Sequence, residues 1–79
     1  MILPLGTNVI ADLDRVGSLI ERDGLAAVPD HLLRSLADDA KRLGIRPVAA
    51  AVLTDPSDPI VARERAFSRL AIGLIGAIT

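Results

Sequence analysis

The stretch DHLLRSLADDAKRLG, residues 30–44, decides the fold class of this 79-residue chain. Its leucines and alanines recur every three or four residues, which is the spacing of one face of an α-helix. Oppositely charged side chains recur on the other face and can pair between successive turns. Pro29 in the first turn, or Asp30 as the cap, can begin this helix, and Gly44 can end it. We therefore predict a helix over residues 29–43.

Another helix precedes this one, and both are predicted to turn aliphatic side chains toward the core. Thr7 or Asn8 can cap the earlier helix and Gly24 can stop it, which predicts a helix over residues 8–23. Its inward face consists of Val9, Leu13, Val16 and Ile20. The inward face of the later helix consists of Leu32, Leu36, Ala40 and Leu43, with Leu33 and Ala37 beside it.

The segment PVAAAVL, residues 47–53, fits either a buried helix or a buried strand, because an unbroken apolar run has no period. Its alanines and its initial proline favour the helix. A strand would need the N-terminal residues MILPL as its partner, and Pro4 would restrict that partner to a sheet edge. We favour the helix over the strand.

The last helix is predicted over residues 58–78, after a turn that contains two Asp-Pro pairs. One apolar stripe on it contains Ile60, Phe67, Leu70, Leu74 and Ile78, and a second contains Val61, Ile72 and Ile75. The chain is thus predicted to be a single all-α domain over residues 1–79. It is a small bundle of three main helices, at about 8–23, 29–43 and 58–78, plus a short buried segment at 47–53.

The composition of the chain excludes several kinds of site and indicates where the protein is expected to occur. The absence of cysteine excludes disulfides, thiolate metal sites and thiol catalysis. A net charge of −1 provides no general attraction to nucleic acid or to an anionic membrane. Eight arginines against one lysine suggest a GC-rich bacterial genome. With no secretory leader and no apolar run of the ~20 residues that span a bilayer, we expect a cytoplasmic protein without a membrane span.

Residues 36–53 have the spacing of a helix-turn-helix, with small or aliphatic residues at Ala40, Gly44, Ile45 and Leu53. A helix that reads DNA needs side chains that hydrogen-bond to bases in the major groove. PVAAAVL offers none beyond the preceding Arg46. We therefore interpret the motif as an ordinary helical hairpin whose second helix is buried, and nucleic-acid binding is not expected.

His31, Ser35 and Asp39 are the residue types of a catalytic triad, spaced four residues apart on one helix. Side chains along one straight helix point outward in parallel and do not converge on a substrate atom. We expect a solvated helix face here, and no enzymatic activity or cofactor.

Asp55 and Asp58, together with Asp38 and Asp39, are of the ligand type that Ca²⁺ and Mg²⁺ prefer. However, an aspartate before a proline at a helix start commonly accepts backbone N–H bonds. Capping is therefore the predicted role of Asp55 and Asp58, and no metal is expected.

Arg63, Arg65 and Arg69 form a basic cluster on the last helix. Arg65 and Arg69 are a like-charged pair one turn apart, which is mildly unfavourable in an isolated helix. Carboxylates of a partner, or a phosphate, would relieve this repulsion. These three residues are predicted as possible polar partner contacts.

The C-terminal sequence LAIGLIGAIT, residues 70–79, is apolar most of the way around the helix. Each large aliphatic side chain left in water forgoes about 1.5–3 kcal/mol. We expect a homodimer, with another protein as the alternative partner. The predicted interface consists of Val61, Ile72, Gly73, Ile75, Gly76 and Ile78.

These observations favour a small protein–protein interaction protein with a regulatory or accessory role, which self-associates through its C-terminal helix. The alternative is a DNA-binding transcriptional regulator of antitoxin type. In that alternative, Arg46, Arg63, Arg65 and Arg69 from two subunits would face phosphate.

Overall fold

The computed structural model describes residues 4–78, and the side chains of residues 9–77. The described part of the chain forms four α-helices joined by short turns, which confirms the predicted all-α bundle. The helices are α1 (Pro4–Asp23), α2 (Asp30–Leu43), α3 (Pro47–Leu53) and α4 (Ile60–Ile78), with a 3₁₀ turn at Leu25–Ala27. No helix within residues 4–78 is long and apolar enough to cross a membrane.

The described part of α1 already includes Pro4, four residues before the predicted start, so Thr7 and Asn8 lie inside the helix and do not cap it. The predicted stop at Gly24 is confirmed. Gly24 has a φ of 86°, and its N–H donates to the Ile20 carbonyl at 2.9 Å.

α2 ends in a Schellman motif, which closes the helix with two backbone hydrogen bonds. Gly44 adopts the left-handed conformation with a φ of 70°. Its N–H donates to the Lys41 carbonyl at 3.1 Å, and the Ile45 N–H donates to the Ala40 carbonyl at 2.8 Å. Pro29 immediately precedes the helix, so Asp30 is its first residue.

The segment 47–53 is a helix, as favoured, and not a strand. It begins after Arg46, which has a φ of 46° and a ψ of 54°. The right-handed helical conformation is disfavoured for a residue before proline, so α2 cannot continue directly into α3. The partner that a strand would have required includes residues 1–3, which lie outside the described residues.

The four helices share one aliphatic core. Its fully buried members include Val9 and Val16 of α1, Leu36 of α2, Leu53 of α3, and Leu70 and Leu74 of α4. Leu25 of the 3₁₀ turn is buried beside them. The predicted inward faces of α1 and α2 are confirmed except at Leu43, which is exposed because it is the last residue of α2 and extends past the packed turns.

Ile60 begins the first apolar stripe of α4 but is exposed, because it is the first residue of the helix and lies beyond its packed part. Two further expectations about burial are wrong. Asp39 is buried, although its face of α2 was expected to be solvated. α3 buries only Ala50 and Leu53 fully, and its Val48 side chain is 76% exposed, since a single helix face meets the core.

Candidate functional site

α3 and α4 pack antiparallel, and contacts at both ends of α3 fix their register. At the start of α3, the Arg46 side chain crosses α4 at Gly73: an ideal Cβ at Gly73 would lie 3.0 Å from Arg46 Cγ and 3.6 Å from Arg46 Nε. At the end of α3, Arg63 Nε donates to the Leu53 carbonyl at 3.1 Å. The C-terminal end of α3 therefore lies beside the N-terminal end of α4.

An open groove of about 240 Å³ lies along this α3–α4 contact. Its floor is apolar. The lining residues from α3 are Val48, Ala49 and Val52, and those from α4 are Ala62, Ala66, Arg65 and Arg69. We call this feature the α3–α4 groove. Its most exposed apolar side chain is Val48.

Two arginines line the α4 side of this groove, and a third, Arg46, lies beyond them at Gly73. Arg65, Arg69 and Gly73 are spaced four residues apart, so they lie on one side of α4 in successive turns. Because the Arg46 side chain lies over Gly73, it extends the row that Arg65 and Arg69 begin. We call Arg46, Arg65 and Arg69 the arginine row. The signal in the sequence that could have indicated this row is Gly73, which lies one turn beyond Arg69 on the same side of α4.

The structure separates Arg63 from the other two members of the predicted basic cluster. Arg63 is half-buried and is bonded to the end of α3, while Arg65 and Arg69 are exposed. Within residues 4–78 the one ion pair joins Arg42 to Asp39, at 3.3 Å between Arg42 Nη2 and Asp39 Oδ1. The arginine row therefore has no carboxylate from the described part of its own chain.

A second surface lies on α4, opposite its buried side. Val61, Ile72 and Ile75 are 57%, 69% and 52% exposed. Together with Arg65 and Ser68 they occupy positions 61, 65, 68, 72 and 75, a spacing of four and three residues that repeats. This is the spacing of the a and d positions of a coiled coil. We call these five residues the α4 outer face.

The remaining members of the predicted interface are placed differently. Gly73 makes its close approach inside the chain, to Ile45 and Arg46, and we leave it out of the α4 outer face. Gly76 is exposed, and no described atom outside its own stretch of helix would lie within 4 Å of a Cβ there. The side chain of Ile78 lies outside the described residues.

His31, Ser35 and Asp39 do not form a catalytic arrangement. The Ser35 hydroxyl donates to Asp12 Oδ2 of α1 at 3.3 Å, while Asp39 pairs with Arg42. His31 is exposed. These contacts join α1 to α2 and stabilise the end of α2.

Asp55 closes a turn between α3 and α4. Its Oδ1 accepts the Ser57 N–H at 2.9 Å, so the carboxylate accepts a backbone bond, but the predicted role of Asp55 as a helix cap is wrong. The bond lies within the turn and does not cap α4. Among the described residues, no group of three His, Asp or Glu side chains is placed to share a metal ion.

A cavity of about 90 Å³ lies at the other edge of the α3–α4 contact, between Asp30, Arg34, Thr54 and Arg63. It is smaller than the 300–1,000 Å³ or so that is usual for organic ligands. The Thr54 hydroxyl donates to the Ala50 carbonyl at 3.1 Å and Arg63 donates to Leu53, so both of these side chains have structural partners.

The sequence matches no protein-family model, and neither the curated proteins nor the solved structures compared with it include a match.

Proposed function

We propose that this chain is a small protein–protein interaction protein, with a regulatory or accessory role, that self-associates through the α4 outer face. The observation that carries the proposal is the exposure of three large aliphatic side chains, Val61, Ile72 and Ile75, along one line of α4. Burying each of them fully would contribute about 1.5–3 kcal/mol. A domain of this size has a small core, and oligomerisation is a common way to stabilise such domains.

The spacing of the α4 outer face favours a second copy as the partner. Val61 lies seven residues before Ser68 and Ile75 lies seven residues after it. In an antiparallel pair of α4 helices with a twofold axis at Ser68, Val61 of one copy would meet Ile75 of the other. A twofold interface is self-complementary in this way. The small serine at the axis would let the two helices approach closely.

The test is the solution mass of the purified protein, measured by light scattering over a hundredfold dilution. We expect a dimer for the wild type and a monomer for Ile72→Glu, because the substitution puts a charge in place of the most exposed aliphatic side chain of the α4 outer face. Ile10→Glu is the matched control, since Ile10 is 51% exposed on α1. We expect this variant to remain a dimer. Circular dichroism of each variant establishes that it is folded.

Two outcomes would contradict self-association through this face. One is a folded wild-type monomer at every concentration. The other is that Ile72→Glu and Ile10→Glu dissociate the dimer equally. This would show that an added negative charge dissociates the dimer wherever it is placed on the surface.

The second candidate function is that of a DNA-binding transcriptional regulator, and the arginine row is the observation that favours it. Neutralising several phosphates would make binding to a nonspecific duplex fall steeply with salt. The exposed side chains of α3 argue against base reading, because Pro47, Val48 and Ala51 carry no hydrogen-bonding groups. A duplex titration at several salt concentrations separates the two candidates, since an interaction protein gives no such slope.

A further inference from the structure

We propose that the α3–α4 groove binds an amphipathic helix of another protein, with aliphatic side chains on the groove floor and carboxylates against Arg46, Arg65 and Arg69. This surface is distinct from the α4 outer face except for Arg65, and the proposal does not depend on self-association.

The groove floor supplies the apolar half of such a site. Val48 is 76% exposed, and Ala49 and Val52 beside it are partly buried. The α4 wall opposite is built of Ala62 and Ala66, whose small side chains keep the groove open. A helix that docks in an apolar groove typically inserts side chains spaced three or four residues apart.

The arginine row supplies the charged half and indicates the charge of the partner. Arg65 and Arg69 repel each other one turn apart, and Arg46 adds a third positive charge at the level of Gly73. Four residues of helix rise about 6 Å, so carboxylates spaced one turn apart on a docked helix would match the row. Because the described part of the chain gives these arginines no ion pair, an acidic partner would relieve the repulsion.

The apolar floor favours a peptide over a nucleic acid as the occupant. Phosphates would engage the arginine row but would leave Val48 and Val52 in water. The net charge of −1 also opposes a general attraction to a duplex. An acidic amphipathic helix would place aliphatic side chains on the groove floor and carboxylates beside the arginine row.

The experiment is a selection from a displayed library of helical peptides of about 15 residues. Each peptide carries leucines every three or four residues, and its other positions vary among alanine, glutamate, lysine and glutamine. We expect the enriched peptides to carry two or three glutamates along one flank of the leucines. Fluorescence anisotropy then measures the affinity of one enriched peptide for the protein and its variants.

Two charge-reversed double variants test the arginine row. Arg65→Glu/Arg69→Glu is expected to weaken the affinity at least about tenfold, because like charges would then face each other across the site. Arg15→Glu/Arg22→Glu makes the same change in net charge at exposed positions on α1, and we expect it to change the affinity less than about threefold. Val48→Asp tests the floor and is expected to weaken binding as well.

Several results would overturn the proposal. They are the absence of enriched peptides, the enrichment of peptides without glutamate, and equal weakening by both double variants. Salt-dependent duplex binding that Arg65→Glu/Arg69→Glu abolishes would assign the row to nucleic acid. A change in solution mass caused by Val48→Asp would assign the groove to a second copy of the chain. Because Arg65 also belongs to the α4 outer face, light scattering first establishes whether Arg65→Glu/Arg69→Glu changes the solution mass. The two charge-reversed variants are then compared in the Ile72→Glu background, where loss of self-association leaves only their effect on peptide binding.

Discussion

At the scale of the residue, Gly73 allows α4 to lie close to the turn between α2 and α3. A Cβ at this position would lie 2.8 Å from Ile45 Cγ2, closer than real carbon atoms approach. Arg46 could move its long side chain away from an added methyl group. Ile45 is half-buried and packs against the core, so it has little room to move. The glycine is therefore required by packing within one chain.

We expect Gly73→Ala to be less stable than Gly76→Ala. Replacing glycine by alanine inside a helix stabilises the helix by up to about 1 kcal/mol, and both variants gain this stabilisation. At Gly76 the described part of the chain places no atom from outside the adjacent helix within 4 Å of the new Cβ. At Gly73 overpacking opposes the gain by about 1–3 kcal/mol. Urea denaturation of both variants at one protein concentration measures the difference, and equal free energies of unfolding would contradict the close contact at Gly73.

At the scale of the element, α3 is too short to persist without tertiary contacts. Its seven residues are held to α4 at both ends, by Arg46 over Gly73 and by the bond from Arg63 to the Leu53 carbonyl. Arg63 also places a positive charge at the C-terminal end of α3, where helix carbonyls are unpaired. This arginine therefore stabilises the fold, whereas Arg65 faces solvent.

We expect Arg63→Met to lower the free energy of unfolding by about 1.5–3 kcal/mol, the usual range for a hydrogen bond that involves a charged group. Arg65→Met is the control, because it removes the same charge from an exposed position on the same helix. We expect it to change stability by less than about 0.5 kcal/mol. Thermal and urea unfolding give both values. Equal losses would show that the bond from Arg63 to Leu53 does not hold α3 in place.

α2 could be predicted almost completely, because its period, its ends and its glycine cap are all local signals. α3 could be predicted only as the favoured of two alternatives, from its alanines and its initial proline, because an apolar run without a period also fits a buried strand. The start of α1 could not be predicted, because Thr7 and Asn8 are of the types that cap helices and yet lie inside this one. The different roles of Arg63 and Arg65 could have been predicted, because residues two apart on a helix lie about 200° apart around its axis.

At the scale of the whole molecule, the arginine row and the α3–α4 groove depend on contacts between distant parts of the chain. Arg46 and Gly73 are 27 residues apart in sequence and meet only because α3 and α4 pack antiparallel. The exposure of Val48 could not be predicted either, since an apolar run without a period does not reveal which side meets the core. In contrast, the second apolar stripe of α4 was visible in the sequence, and the structure places its three aliphatic side chains on the exposed side.

Substitutions on the buried and the exposed side of α4 should change the free energy of unfolding in different ways. Leu74 is fully buried in the core of one chain, while Ile72, two residues away, is 69% exposed. We expect Leu74→Ala to lower the free energy of unfolding by about 2–5 kcal/mol at every protein concentration. Ile72→Ala should cost little in dilute solution, and its cost should grow with concentration because only the associated form buries this side chain.

Urea denaturation of the wild type and both variants, repeated at protein concentrations from well below to well above the dissociation constant of the dimer, separates these effects. The Leu74→Ala curve should be displaced from the wild-type curve by a similar amount throughout the range. The Ile72→Ala curve should coincide with the wild-type curve at low concentration and diverge from it at high concentration, because mass action stabilises only the form that associates. A small loss in Leu74→Ala would contradict the packing of α4 against the core, whereas an Ile72→Ala displacement that does not vary with concentration would contradict self-association through the α4 outer face.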